Sequence, residues 1–121
     1  MAGEPIEVFG EGRMARDFTY IEDIVDGVIG ALDHPPARGQ NRILNIGDSK
    51  PVGLMEMIET LETALGRKAE KIMRPMQPGD VTATYADVSR LHALTGYAPK
   101  VMLAEGLDRF ATWYKGFYAA N

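Results

Sequence analysis

Between Ile21 and Leu32 the apolar residues Ile21, Ile24, Val25, Val28, Ile29 and Leu32 fall at i, i+3, i+4, i+7, i+8 and i+11, one helical stripe. Glu22, Asp23 and Asp26 suit the positive end of that helix, Asp23 is the expected N-cap, and His34-Pro35-Pro36 ends it. Gly27 and Gly30 lie inside it, each costing up to about 1 kcal/mol relative to alanine, which points to close backbone packing. Upstream, Ile6–Phe9 and Arg16–Ile21 are β-prone runs on either side of a glycine loop at Gly10 and Gly12, and they predict a pair of strands. Residues 42–47, Arg-Ile-Leu-Asn-Ile-Gly, form an apolar run suited to a strand buried on both faces, as in a parallel sheet.

The later pattern is helical again. Leu54, Ile58, Leu61 and Leu65 make a second stripe, with Gly66 as its stop. A short strand is expected over residues 69–73 and β character returns over 82–86. Asp87 is the expected N-cap of a short helix carrying Val88, Leu91 and Leu94 and ending at Gly96. A last helix runs from Leu103 towards Tyr118 with the stripe Leu103, Leu107, Phe110, Tyr114 and Phe117, and Trp113 beside it. Strands alternating with helices give an α/β fold class. Two prolines and a glycine make Pro75-Met76-Gln77-Pro78-Gly79-Asp80 an ordered loop.

Composition narrows the chemistry. The 121 residues suit a single domain with a real core. There is no cysteine, so disulfides, zinc-thiolate sites and thiol nucleophiles are excluded, and a cytoplasmic location is the simple expectation. Thirteen basic against seventeen acidic residues give a net charge of -4 with no cationic stripe, which argues against nucleic acid as a partner. No apolar run approaches the roughly 20 residues that span a bilayer, so no membrane is expected either.

Most candidate motifs fail on inspection. Gly10-x-Gly12-x-x-Ala15 follows a strand but is followed by β-prone residues, where a dinucleotide fingerprint needs a helix. None of the tyrosines, at positions 20, 85, 97, 114 and 118, has a lysine four residues on, so the base of a short-chain dehydrogenase is missing. His34 and His92 have no carboxylates at ligand spacing, and neither Ser49 nor Ser89 sits in a glycine elbow, so no catalytic or metal-binding residue is assigned. Two places remain. Arg16, beside the glycine turn, is either a phosphate clamp or a surface or Asp17-paired arginine. The 75–80 loop, ending in a carboxylate, is either a ligand loop or a plain turn.

Both places carry a resemblance. Val8-Phe9-Gly10-Glu11-Gly12, the run from Arg16 to Gly27 beginning Arg-Asp-Phe-Thr-Tyr-Ile, Leu44-Asn45-Ile46-Gly47, Pro75 to Val81, Thr84-Tyr85-Ala86-Asp87, Glu105-Gly106 and Trp113-Tyr114 together resemble the C-terminal part of NAD-dependent nucleotide-sugar epimerases/dehydratases, the extended short-chain dehydrogenase/reductases. The Pro-Met-Gln-Pro-Gly-Asp-Val loop with the Arg-Asp-Phe-Thr-Tyr-Ile run most resembles UDP-glucuronate 4-epimerases. The resemblance implies that residues 1–121 are the small mixed α/β substrate-binding domain, without the Rossmann domain. It implies a diphosphate contact at Arg16, backbone contacts to the uracil edge at Glu7, Val8 and Phe9 with Phe9 covering the base, and a ribose contact at Asp80. At Gln77 the galactose-type enzymes have a second phosphate arginine; Arg74 is three residues away. The expected partner is a UDP-sugar. NAD belongs to the full-length family, with no cofactor expected in this chain, which alone should not catalyse epimerisation. In the family residues 42–47 join the larger domain's sheet. That leaves a separate or missing N-terminal NAD-binding domain, or a homodimer, to cover them. The rivals are a non-catalytic assembly module and the matching domain of a dehydratase or decarboxylase.

Overall fold

The computed structural model describes residues 3–118. Its elements are β1 (Ile6–Val8), β2 (Ala15–Arg16), α1 (Ile21–Asp33), β3 (Val52–Gly53), α2 (Leu54–Leu65), β4 (Lys71–Met73), α3 (Ser89–Thr95) and α4 (Leu103–Tyr118). The mixed α/β class read from the sequence is what forms, with short strands and most of the mass in helices.

The strands pair differently from the expected hairpin. Phe9–Gly12 is a 3-10 turn with Gly10 and Gly12 at φ of 60° and 74°, which takes the chain out of line with β1 instead of folding it back. β1 pairs in parallel with β4, Glu7 opposite Ile72, and the long crossover that a parallel pair requires is supplied by the intervening helices. β2 pairs antiparallel with β3, and Ala15 bridges in parallel to Ala83. That bridge is all that the β-prone 82–86 run contributes. Residues 42–47 form no ladder at all among the described residues: a strand apolar on both faces needs a sheet beside it, and none lies there. Ile43 is 80% exposed.

The apolar stripe of α1 is real but is not its packed face. Ile21, Val25, Val28, Ile29 and Leu32 are all exposed, whereas Asp23 and Gly27 are buried. The packed face carries Asp23, Gly27 and Gly30. A Cβ at Gly27 would stand 2.8 Å from Ile46, and one at Gly30 would stand 3.2 Å from Thr95, so the two glycines let residues 42–47 and α3 approach the helix closely. Asp23 is not the N-cap; Tyr20 takes that position without a side-chain bond. Its carboxylate instead accepts from the N–H groups of Lys100 (2.9 Å) and Val101 (3.0 Å), tying α1 to the approach of α4. Asp87 likewise stands one residue before the cap of α3, Val88, and accepts from Ser89 N–H at 2.9 Å.

The main packing contacts are of α2 against α4, β1 against β4 and α1 against α3, with Val8, Met14, Ile58, Leu91, Tyr97, Val101 and Ala111 buried. Of the expected α4 stripe, Leu103, Leu107 and Tyr114 are half-buried beside buried Gly106 and Ala111, while Phe110, Trp113 and Phe117 face outward. Gly66 ends α2 in the left-handed region, as read.

Glu62, buried at the end of α2, fixes the turn into β4. Its carboxylate accepts from the Lys71 ammonium and from Ala69 N–H (2.8 Å), and Lys68 lies 2.9 Å away. The Lys71 hydrogen bond first, then the Ala69 N–H and Lys68, hold its pKa at about 2 against an ordinary 4.5. The folded value lies below the unfolded one, so the stabilisation is complete above about pH 4.5 and is lost as the pH falls towards 2. Melting temperatures recorded between pH 6 and pH 2.5 should therefore fall less steeply for Glu62→Gln than for the parent chain; an unchanged slope contradicts this role.

Candidate functional site

Arg16 stands on the central strand of a three-way junction. Leu54 N–H donates to Met14 C=O at 2.7 Å on one side; on the other, Ala15 N–H donates to Thr82 C=O at 2.9 Å and Thr84 N–H to Ala15 C=O at 3.2 Å. Backbone is thus held on both flanks, and the guanidinium emerges from a fixed base. Its Nη1 donates to Ala15 C=O at 2.9 Å and its Nη2 to Asp80 Oδ1 at 2.7 Å, with Met14 Sδ 3.4 Å away. The Arg16 and Asp80 side chains are only 23% and 30% exposed, so the pair is partly shielded.

Asp80 is aimed by its loop. Gln77-Pro78-Gly79-Asp80 closes with Asp80 N–H on Gln77 C=O at 3.1 Å, with proline second and Gly79 third at φ +84°, the requirements of a type II turn. Asp80 Oδ1 also accepts from Val81 N–H at 2.8 Å. The loop lies against the glycine turn: the Met76 methyl is 3.6 Å from where a Cβ on Gly10 would stand.

The remaining sequence-derived positions lie on β1, the 3-10 turn that follows it and the 75–80 loop. The Val8 side chain is buried and its carbonyl accepts from Arg74 N–H at 2.9 Å, so this backbone is spent in the ladder with β4. Alternation along the strand turns the Glu7 backbone to the opposite, open edge. Its carboxylate pairs with Arg74, at 2.9 Å to Nε and 2.8 Å to Nη2. Arg74 is therefore engaged by Glu7. Phe9 is half-buried in the 3-10 turn, and Gln77 is exposed at the loop's start.

Asp17 does not pair with Arg16. Its Oδ1 accepts from Asp48 N–H (3.0 Å) and its Oδ2 from Ser49 N–H (3.1 Å) and Ala86 N–H (2.9 Å), while its own N–H donates to Thr84 Oγ1 at 3.1 Å. One carboxylate thus gathers the 47–49 and 84–86 segments next to Arg16. Nothing in the spacing of the sequence marks this role, because the donors lie 31 to 69 residues away. Beside it the Tyr97 hydroxyl donates to Gly47 C=O at 3.1 Å; burial, then the charges of Asp23, Asp48 and Asp17, push the phenol pKa up. Burial likewise raises Asp48, whose Oδ1 receives no hydrogen bond among the described residues.

Two cavities lie elsewhere. One of about 300 Å³ is lined by Phe18–Ile21, Met57 and the first turns of α4; one of about 530 Å³ lies between the chain start, α2 and α4. Neither is lined by Arg16 or Asp80, whose ion pair fills the ground between their own elements. Among the described residues no group of three or more histidines and carboxylates could hold a metal, and no helix is long and apolar enough to cross a membrane.

Comparison with known proteins agrees with the fold. The NAD dependent epimerase/dehydratase family matches residues 1–47. A probable UDP-glucuronate 4-epimerase of Rhizobium meliloti is 43% identical over 133 residues, 96% of this chain and 39% of that protein. An uncharacterized protein of Methanocaldococcus jannaschii is 49% identical over 94% of this chain and 34% of its own length. The structure of UDP-glucuronic acid 4-epimerase from Bacillus cereus in complex with UDP-glucuronic acid and NAD superposes with a TM-score of 0.80 at 34% identity, covering 95% of this chain and 36% of that one. The chain thus spans a little over a third of the proteins it matches.

Proposed function

We propose, from the premise that this chain is a stretch of an NAD-dependent epimerase/dehydratase, that it supplies the surface on which such an enzyme grips the nucleoside diphosphate of a UDP-sugar, UDP-glucuronate by its likeness to the 4-epimerases. One observation carries the reading: Arg16 and Asp80, 64 residues apart, meet in one partly shielded place. Arg16 offers a planar fork to phosphate oxygens. Asp80, as an acceptor, suits ribose hydroxyls, and the outward backbone of Glu7, with the chain continuing into Phe9, suits the edge of a uracil, the Phe9 ring against its face. Gln77 contributes a neutral polar contact where a second cation would otherwise stand. In this reading the chain holds the substrate, and the nicotinamide cofactor and the catalytic tyrosine and lysine belong to another part of the enzyme.

The same reading accounts for the outer face of α1. Ile21, Val25, Val28, Ile29, Leu32 and Ile43 expose apolar surface, and residues 42–47 have no sheet partner among the described residues. An adjoining NAD-binding domain would cover both. A second copy of this chain is the rival cover, and it would show in light scattering as a tight dimer indifferent to UDP.

Isothermal calorimetry with UDP and with NAD tests the assignment. Heat with UDP and none with NAD is expected; NAD binding without UDP binding would contradict it.

A further inference from the structure

We infer that Asp80 is the resident anion of Arg16, so that nucleotide binding at this site is an exchange: the diphosphate takes the guanidinium only as the Asp80 carboxylate gives it up. The inference rests on the diphosphate reading above and adds a built-in competitor to it.

The geometry favours a competing anion over a bystander. A carboxylate oxygen 2.7 Å from Nη2 occupies the position in which a phosphate oxygen would sit, and it does so where solvent reaches less than a third of either side chain. Nη1 is directed to Ala15 C=O, so the fork that a phosphate would use bidentately is divided between backbone and Asp80. The carboxylate is not there by side-chain chance. The Pro78-Gly79 turn and the Val81 N–H aim it. The backbone leading into Arg16 is in turn held by hydrogen bonds on both flanks of β2, so the guanidinium starts from a fixed base. A polyanion arriving here meets a cation already neutralised by the Asp80 carboxylate, which weakens the binding of phosphate without a nucleoside attached. A nucleoside diphosphate is treated differently, because its ribose hydroxyls can donate to the carboxylate that its phosphates displace. The pair therefore discriminates between free polyphosphate and a phosphate that carries a ribose, and it keeps Arg16 from being taken by inorganic anions.

The probes are inorganic pyrophosphate, uridine and UDP, titrated into the 121-residue chain and into Asp80→Asn, Asp80→Ala and Arg16→Ala. Neutralising Asp80 should tighten pyrophosphate binding roughly threefold to tenfold, as expected for release of a half-shielded ion pair. Asp80→Ala should at the same time weaken uridine binding by a similar factor. Opposite changes for the two probes exclude a general loss of fold, and Asp80→Asn preserves the size of the side chain should the alanine variant fold poorly. If pyrophosphate binds Asp80→Asn and Asp80→Ala no better than the parent chain while Arg16→Ala abolishes binding, the exchange is overturned and the phosphate role of Arg16 stands. If neither pyrophosphate nor UDP binds any of these proteins, the diphosphate reading falls and the exchange falls with it.

Discussion

Asp17→Ala is expected to lower the unfolding free energy by about 3 kcal/mol, since buried or half-buried donors left without an acceptor cost about 1–3 kcal/mol each. Its carboxylate serves the N–H groups of Asp48, Ser49 and Ala86, and only Asp48 has a second acceptor, Thr19 Oγ1 at 3.1 Å. A Cβ on Gly47 would already stand 2.5 Å from Ala86 and 2.9 Å from Asp17 Oδ2, so the three segments are in close contact. For a chain of this size the loss corresponds to a melting temperature lower by roughly 10–15 °C. Asp17→Asn, which keeps one acceptor, should fall between parent and alanine. A shift below about 2 °C for Asp17→Ala would show that the joint is not holding the site together.

The second large effect is on binding. Arg16→Ala should weaken UDP roughly 30-fold to 100-fold by calorimetry, in keeping with the loss of charge-assisted hydrogen bonds in a partly shielded place, where a charge pair at 4 Å is worth at most about 4 kcal/mol. Arg16→Lys should recover only part of this, because an ammonium offers a point charge in place of a planar fork. Circular dichroism checks that both variants remain folded. Retained UDP affinity in Arg16→Ala would remove Arg16 from the site.

How far the sequence foretold these features depended on whether the cause was local. The helices were legible because their causes lie within each segment: the Leu54 to Leu65 stripe, the Gly66 and Gly96 stops, and the proline pair after His34 all act over a few residues. Strand partnership was not. Ile6–Phe9 and Arg16–Ile21 have the composition of a hairpin, but β1 finds β4 and β2 finds β3, and only the three-dimensional path decides that. The stripe of α1 misleads for a related reason. Periodicity reports that a face is apolar and is silent on what covers it, and within this chain the helix is packed through Gly27, Gly30 and Asp23 instead. The site was legible in part. Arg16 and the 75–80 loop stood out by residue type, yet their meeting could be proposed only from the resemblance. Asp17 was read as a neighbour for Arg16, and its carboxylate turns away to backbone donors far along the chain.

Amide chemical shifts followed by NMR during a UDP titration test the central claim most directly. The account predicts that the largest changes fall on Glu7, Phe9, Arg16, Gln77 and Asp80. Changes confined to the cavity lined by Phe18–Ile21 and the start of α4, with Arg16 and Asp80 unmoved, would contradict it.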